Sequence, residues 1–215
     1  AWLTGAKNTL KGIGFFCGGL LFVKFGIRAP LASMAIAVIC GWLGTIGLQS
    51  ATLTAKKRAA RSFFSSTQAV NMLAGARIFL FGARDIWLAV ALPLFLARAP
   101  GWGFWQSGSV MAAYTIGYGL IQAATPRLLA GRPAPGGHMT ALLALIQLSI
   151  CVTTGWYALQ AGIAVWPMLI AVSLFSVSFA LNSAVHSFLI AAYAQREAIS
   201  IDIGFYYSAN EIGRA

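Results

Sequence analysis

Acidic residues are scarce in this 215-residue chain, which has 4 Asp and Glu residues against 15 Lys and Arg. Charged residues make up 9% of the sequence, whereas soluble domains carry roughly 25%. Apolar residues make up 59%, and the mean hydropathy is +0.79. This balance excludes an ordinary soluble domain and indicates a membrane protein.

Patterns typical of nucleic-acid, metal or catalytic sites are also lacking. Most basic residues fall in short loops and are not interleaved with aromatics, which argues against a nucleic-acid surface. Cys17, Cys40 and Cys151 lie in apolar runs without CxxC spacing or a neighbouring His, so we expect no metal and no other cofactor. There is no Ser/His/Asp set, HExxH motif or P-loop, so we expect no enzymatic activity and no catalytic residues.

Long apolar runs are the positive feature of the sequence. A run of roughly 20 apolar residues crosses a bilayer as a helix. Six spans are predicted, at about Lys7–Phe25, Pro30–Gln49, Asn71–Leu96, Phe104–Thr125, Met139–Gln160 and Val165–Ala192, and a seventh begins near Asp202. We therefore predict an all-α polytopic membrane protein embedded in the lipid bilayer.

Loop charges predict its orientation. The loops on one side carry the larger basic set: Lys56, Lys57, Arg58, Arg61, Arg127, Arg132 and Arg196. The other side carries Lys24, Arg28 and Arg98. Because cytoplasmic loops are enriched in Lys and Arg, the larger set, including the long loop over about Ser50–Gln68, is predicted to be cytoplasmic. The chain starts at Ala1 rather than Met and stops as a new apolar segment begins, so we interpret it as an internal fragment of a longer protein.

Arg77, Arg84 and Asp85 lie inside one predicted span. Ionisable residues at such depth are costly and usually face a bundle interior or a wet cavity. The two arginines are seven residues apart and share nearly one helix face, and guanidinium groups bind phosphate-like oxygens bidentately. We predict that Arg84 contacts an anionic substrate and that Arg77 draws anions from the cytoplasm. The alternatives are an Arg84–Asp85 ion pair and an Arg77 that reaches the membrane interface.

Asp85 is the only acidic residue deep in a predicted span, and it is predicted to couple protons or to balance charge. Adjacent residues on a helix face each other poorly, so Arg84 and Asp85 are each expected to pair across to another helix, for example Asp85 with Lys7 or Lys11. His186 is a second titratable candidate, with a satisfied core residue as its alternative.

Polar residues on other spans complete the predicted site. Lys7 and Lys11 share a face of the first span and either bind substrate or form a positive flank. The remaining substrate-binding candidates are Asn8, Asn182, Tyr206 and Asn210, and the weaker pore-lining candidates are Gln106, Tyr114 and Tyr118. Gly14 and Gly18 have small-xxx-small spacing that predicts close helix packing, and Pro93 predicts a kink.

The pattern resembles the major facilitator superfamily, which has twelve spans in two halves joined by a long cytoplasmic loop. The segment Gly14-Phe-Phe-Cys-Gly18-Gly19 is similar to the family's antiporter motif, with Phe15 at the proline position, and Pro126–Pro133 is similar to a basic motif between spans. In this register residues 1–49 resemble spans five and six, residues 50–70 the cytoplasmic basic inter-half loop, and residues 71–215 the C-terminal half, truncated in span eleven.

A finer resemblance is to the ArsJ-type organoarsenical exporters. Four stretches carry it: Thr4–Phe16, Arg77–Trp87, Asn182–Ile190 and Asp202–Arg214. The resemblance implies proton-driven export of an arsenylated phosphoglycerate across the bacterial inner membrane, with a functional link to an arsenate-accepting glyceraldehyde-phosphate dehydrogenase, and hence arsenate resistance. Within transport, the alternative is another organic anion such as a sugar phosphate or phosphonate. Outside transport, the alternative is a membrane receptor or scaffold.

Overall fold

The computed structural model describes residues 2–46, 67–99, 101–131, 133–162, 164–194 and 199–212. All regular structure in these ranges is helical. The helices are α1 Trp2–Phe25, α2 Arg28–Ile46, α3 Gln68–Asp85, a π-helical segment Ile86–Ala91, α4 Leu92–Arg98, α5 Phe104–Leu129, α6 Gly137–Ala161, α7 Val165–Tyr193 and α8 Ile199–Ile212. The basic inter-helix residues Lys56, Lys57, Arg58, Arg61, Arg132 and Arg196 lie outside the described residues.

Each of the six predicted spans contains a helix, and α8 occupies the seventh position. Within the described ranges, four stretches are long and apolar enough to cross a membrane: Arg28–Ile46, Gln68–Arg98, Gly137–Gln160 and Val165–Tyr193. The predicted all-α structure is therefore confirmed for the described residues, and the four apolar stretches are compatible with the predicted multi-pass membrane protein. Helices α1 and α5 are also long enough but are less apolar, because both carry glycines and polar residues.

Helix α7 is the centre of the packing. Its buried residues run from Met168 to Ile190, and it contacts α3, α5, α6 and α8. Helix α8 packs on α3, and α1 packs along α5 in the most extensive helix contact of the described chain. Helix α2 buries no residue. The polar residues of the central helices therefore lie between α3, α5, α7 and α8.

The long Gln68–Arg98 stretch contains a wide turn rather than a simple proline kink. The π-helical segment ends at Ala91, and the Leu92 N–H donates a hydrogen bond to the Trp87 carbonyl, five residues back. Pro93 follows at the start of α4. Proline lacks an N–H and clashes with the preceding helical turn, so a widened turn accommodates it. Such π-turns are common at functional sites, and Arg84 and Asp85 lie immediately before this one.

Gly12 provides the close contact between α1 and α5, a role that sequence analysis gave to Gly14 and Gly18. A Cβ at Gly12 would lie 2.6 Å from Cγ1 of Ile116 and 2.9 Å from the carbonyl oxygen of Ala112. No described atom lies within 4 Å of a Cβ built at Gly14 or Gly18. The predicted role of the Gly14/Gly18 pair in packing is therefore wrong for this interface, because the helix face that meets α5 is the one that carries Gly12.

We expect Gly12→Ala to destabilise the protein and Gly14→Ala to leave it unchanged or more stable. Both substitutions gain about 1 kcal/mol of helix propensity, but only the first forces apart two backbones, at a cost of about 1–3 kcal/mol. Thermal unfolding of the full-length protein in detergent measures the difference. Equal melting temperatures for the two variants would contradict the Gly12 contact.

Candidate functional site

One face of α3 carries a cation, an aromatic ring and a second cation. The guanidinium carbons of Arg77 and Arg84 lie 4.0 and 4.6 Å from the ring centroid of Phe81. Spacings of four and three residues bring all three side chains to one side of the helix, as the seven-residue spacing of the arginines predicts. Such contacts stabilise each cation by about 0.5–2 kcal/mol, so both guanidinium groups are held at the Phe81 ring although their backbone positions are two turns apart.

Arg77 is almost completely buried, with 4% of its surface exposed. One of its terminal nitrogens donates a hydrogen bond to the hydroxyl of Tyr206 on α8. Its guanidinium carbon lies 4.4 Å from the Tyr206 ring centroid and 5.3 Å from that of Tyr207. Arg77 forms no ion pair with a described residue, and its Nε has no hydrogen-bond partner there. Its charge is therefore held by aromatic faces and one hydroxyl, which leaves capacity for an anion.

Arg84 and Asp85 pair with each other, which is the alternative that the sequence left open for Arg84. Nε of Arg84 donates a 2.6 Å hydrogen bond to Oδ1 of Asp85, and the pair leaves 18% and 22% of the two side chains exposed. The long arginine side chain bridges the angle between adjacent positions, next to the point where the helix widens into the π-helical segment. The Arg84 guanidinium carbon also lies 5.4 Å from the ring centroid of Phe179 on α7.

Helix α7 faces the arginines with Phe179, Asn182 and His186. The Phe179 ring packs edge-on against Phe81 at 5.1 Å, and the His186 ring stacks on Tyr206 at 6.4 Å. Asn182 lies between them on the same face, three residues from one and four from the other. Asn182 and His186 are 1% and 3% exposed. Both predicted residues therefore lie at the arginine cluster.

A hydrogen-bond network joins α7 to α5 and α1. The Gln122 amide donates to Oγ of Ser183 at 3.0 Å and to the hydroxyl of Tyr118 at 2.9 Å. The Asn8 amide in turn donates to Oε1 of Gln122 at 2.8 Å. Asn8, a predicted substrate contact, thus links α1 to α5 and, through Gln122, to α7. Of the weaker candidates, Tyr118 joins this network, whereas Gln106 accepts a 3.0 Å hydrogen bond from the Gly103 N–H and caps α5.

The two predicted lysines lie apart from the arginine cluster. Lys7 and Lys11 are both exposed, and the Lys11 ammonium lies 5.7 Å from the ring centroid of Phe15 on its own helix. The structure therefore brings Arg77, Arg84, Asp85, Asn182, His186 and Tyr206 together, whereas the two lysines are exposed on α1. The side chain of Asn210 lies outside the described part of the structure.

Asp202 is the buried carboxylate that sequence analysis missed. It is 2% exposed and lies one turn before Tyr206 on α8. We placed it at the beginning of the seventh span, where an acidic side chain ordinarily stays near the interface. The four-residue spacing of Asp202 and Tyr206 places both on one helix face, so it predicts that Asp202 is buried if Tyr206 faces the site.

The arrangement is suited to holding an anion within apolar surroundings. Two guanidinium groups, aromatic rings and neutral donors converge, and charge-assisted hydrogen bonds are strongest where water is excluded. Among the described residues, no three His, Cys, Asp or Glu side chains converge as metal ligands would. Comparisons with protein-family models, curated proteins and solved structures find no match.

We expect Tyr206→Phe to weaken the binding of a phosphate-like anion far more than Tyr207→Phe. The first change removes a buried acceptor for Arg77 and leaves a charge with one partner fewer, at a cost of about 1.5–3 kcal/mol. Tyr207 is exposed and has only a ring contact with Arg77, so it is a matched control. Calorimetric titration of the two full-length variants with glycerol 3-phosphate measures the effect, and equal affinities would show that the Arg77–Tyr206 bond is not needed.

Proposed function

We propose that this chain is part of a secondary active transporter that moves a small organic anion across a membrane. The observation that supports this most is Arg77, a guanidinium 4% exposed inside an apolar helix bundle and without an ion-pair partner among the described residues. A buried charge of this kind is costly to maintain, and membrane proteins retain such charges mainly for substrate or ion pathways. Arg84, two turns along the same helix, brings a second guanidinium to the Phe81 ring and extends the positive surface.

The packing of α1 on α5 supports an alternating-access mechanism. In the chain, α1 comes before the basic segment that we assign to the cytoplasm, and α5 comes after it. Asn8 and Gln122 join them through a single hydrogen bond next to the arginine cluster. In major-facilitator transporters, two halves rock about a site near the bilayer midplane. We propose the same motion here, with the α1–α5 contact as part of the surface that opens.

For the substrate, we propose an arsenylated phosphoglycerate exported across a bacterial inner membrane, on the strength of the sequence resemblance to organoarsenical exporters. Its phosphate and arsenate groups match guanidinium chemistry. Export would be coupled to protons, with Asp85 or His186 as the titrating group. Asp85 already lies against Arg84, so in this mechanism the substrate anion and the carboxylate compete for one guanidinium.

Arsenate tolerance tests this substrate. An arsenic-sensitive bacterium would express the full-length protein with or without an arsenate-accepting glyceraldehyde-phosphate dehydrogenase. We expect protection and arsenic release to require both proteins. Protection without the dehydrogenase would indicate another arsenic species, and absence of protection and release would contradict arsenic export.

A second candidate substrate is another organic anion, such as a sugar phosphate or phosphonate. It is favoured by the site itself, since Arg77 and Arg84 offer donors that fit any phosphate-like group and nothing among their described contacts is specific to arsenic. Uptake and efflux of labelled phosphorylated sugars in the same strain distinguish this candidate. A membrane receptor or scaffold, in contrast, would show no solute flux with either type of substrate.

A further inference from the structure

Three buried residues around the arginine cluster have polar atoms for which the described residues provide no hydrogen-bond partner. These atoms are Nε of Arg77, Oδ1 and Nδ2 of Asn182, and Nδ1 of His186, and each residue is at most 4% exposed. Leaving one buried donor or acceptor unpaired costs about 1–3 kcal/mol, and few buried groups in folded proteins are left unpaired. Several such atoms in one region therefore indicate a place built for a polar ligand.

The three residues converge on one short segment of the bundle. Arg77 and His186 both contact the Tyr206 ring, the first by a cation–π contact at 4.4 Å and the second by stacking at 6.4 Å. Asn182 is one turn from His186 on α7. On its other side lies Phe179, which packs against Phe81. Along the axis of α7, the Asn182 amide therefore lies between the residue next to Arg84 and the residue next to Arg77.

The chemistry of the unpartnered atoms restricts the ligand. Arg77 Nε–H and the Asn182 NH₂ donate, so the ligand must present acceptor oxygens. The Asn182 oxygen only accepts, so the ligand must also present an O–H or N–H group. A simple anion without a proton donor would leave this oxygen unpaired. A hydroxyl group is both donor and acceptor, and it would satisfy the whole amide.

We propose that Asn182, with His186, binds a hydroxyl group of the transported anion while Arg77 binds an adjacent anionic oxygen, so that the protein selects hydroxylated organic anions over their deoxy analogues. This rests on the proposed transport function and adds a specificity-determining residue to it. Asn182 discriminates between substrates, whereas the arginines supply affinity for any anion of suitable size.

A matched pair of probes tests the selection. Glycerol 3-phosphate and n-propyl phosphate carry the same phosphate, but only the first has hydroxyl groups on its carbon chain. Binding to the full-length protein in detergent is measured by calorimetry. Sites built to hydrogen-bond a hydroxyl reject the analogue that lacks it strongly, so we expect glycerol 3-phosphate to bind at least about tenfold more tightly.

Asn182→Leu is the decisive variant because it keeps the side-chain size and removes both polar atoms. We expect it to reduce the affinity ratio of the two probes to near one, mainly by weakening the binding of glycerol 3-phosphate. Ser178→Ala is the control, since Ser178 is also buried on α7 and its hydroxyl donates only to the Phe175 carbonyl of its own helix. This variant should keep the wild-type ratio.

Each negative result of the binding experiments has a different meaning. Equal binding of both probes to the wild-type protein overturns the hydroxyl inference and leaves the anion site standing. Unchanged selectivity in Asn182→Leu also overturns it, and would mean that buried water satisfies the amide. Binding of neither probe contradicts both the inference and a general organic-anion site.

Discussion

Replacing Arg84 by alanine is expected to lower the proposed anion export by about 100-fold at substrate concentrations below saturation, with little change in membrane abundance. Arg84 is partly exposed and lies near Phe81 and Phe179, so it is accessible to an anion while its position is fixed. Loss of two charge-assisted hydrogen bonds costs about 3 kcal/mol or more, and each 1.4 kcal/mol corresponds to about a tenfold change. Efflux of labelled arsenic from cells that express the full-length variant measures the effect.

Arg98→Ala is the control for this experiment. Arg98 ends α4 in the same helical stretch, is exposed and contacts none of the cluster. It should retain efflux. Normal efflux by Arg84→Ala would remove Arg84 from the substrate site and would leave its pair with Asp85 as a structural feature. Loss of flux in both variants would indicate a general effect of charge on insertion.

Arg77→Lys is expected to abolish most export although the positive charge is kept. The planar guanidinium packs against Phe81 and Tyr206 and bonds the Tyr206 hydroxyl at the same time. A lysine ammonium is a compact, strongly hydrated charge that cannot reproduce this planar stacking. The lost contacts amount to about 2–4 kcal/mol in sum, which predicts a loss of export of at least about tenfold.

The matching control is Arg98→Lys, which changes the same group at an exposed position. Melting temperatures of both proteins separate a loss of folding from a loss of function. If Arg77→Lys exports at the wild-type rate, charge alone is sufficient at this position and the stacked geometry has no role in transport.

The helices could be predicted from the sequence because apolar runs of this length have few alternatives. A backbone inside lipid must satisfy its own hydrogen bonds, so runs such as Val165–Ala192 specify helices directly; α7 ends at Tyr193, one residue later. The shared face of Arg77 and Arg84 also followed from helical geometry alone. Helix periodicity does not predict local widening, so the π-helical segment before Pro93 was not predicted.

The interior of the site was less predictable because it depends on which helices are neighbours. Phe81 contacts both guanidinium groups from their own helix, but Phe179 is an ordinary apolar residue in the sequence, and only the packing of α3 against α7 makes it a contact of Arg84. The role of Gln122 could not be predicted from the sequence, because it depends on α1 and α7 both packing beside α5. The sequence left the Arg84–Asp85 pair open as an alternative, and it forms because side-chain length outweighs the backbone angle between adjacent positions.

The most direct test of anion export uses everted membrane vesicles that contain the full-length protein. Glyceraldehyde 3-phosphate, NAD, arsenate and the dehydrogenase are supplied outside, so that the arsenylated phosphoglycerate forms continuously at the proposed cytoplasmic face, and labelled arsenic inside the vesicles is counted. We predict accumulation that requires NAD and the dehydrogenase and that is lost in Arg84→Ala vesicles. Accumulation that is absent from wild-type vesicles, or that persists without NAD or without Arg84, would contradict export of this anion through the arginine site.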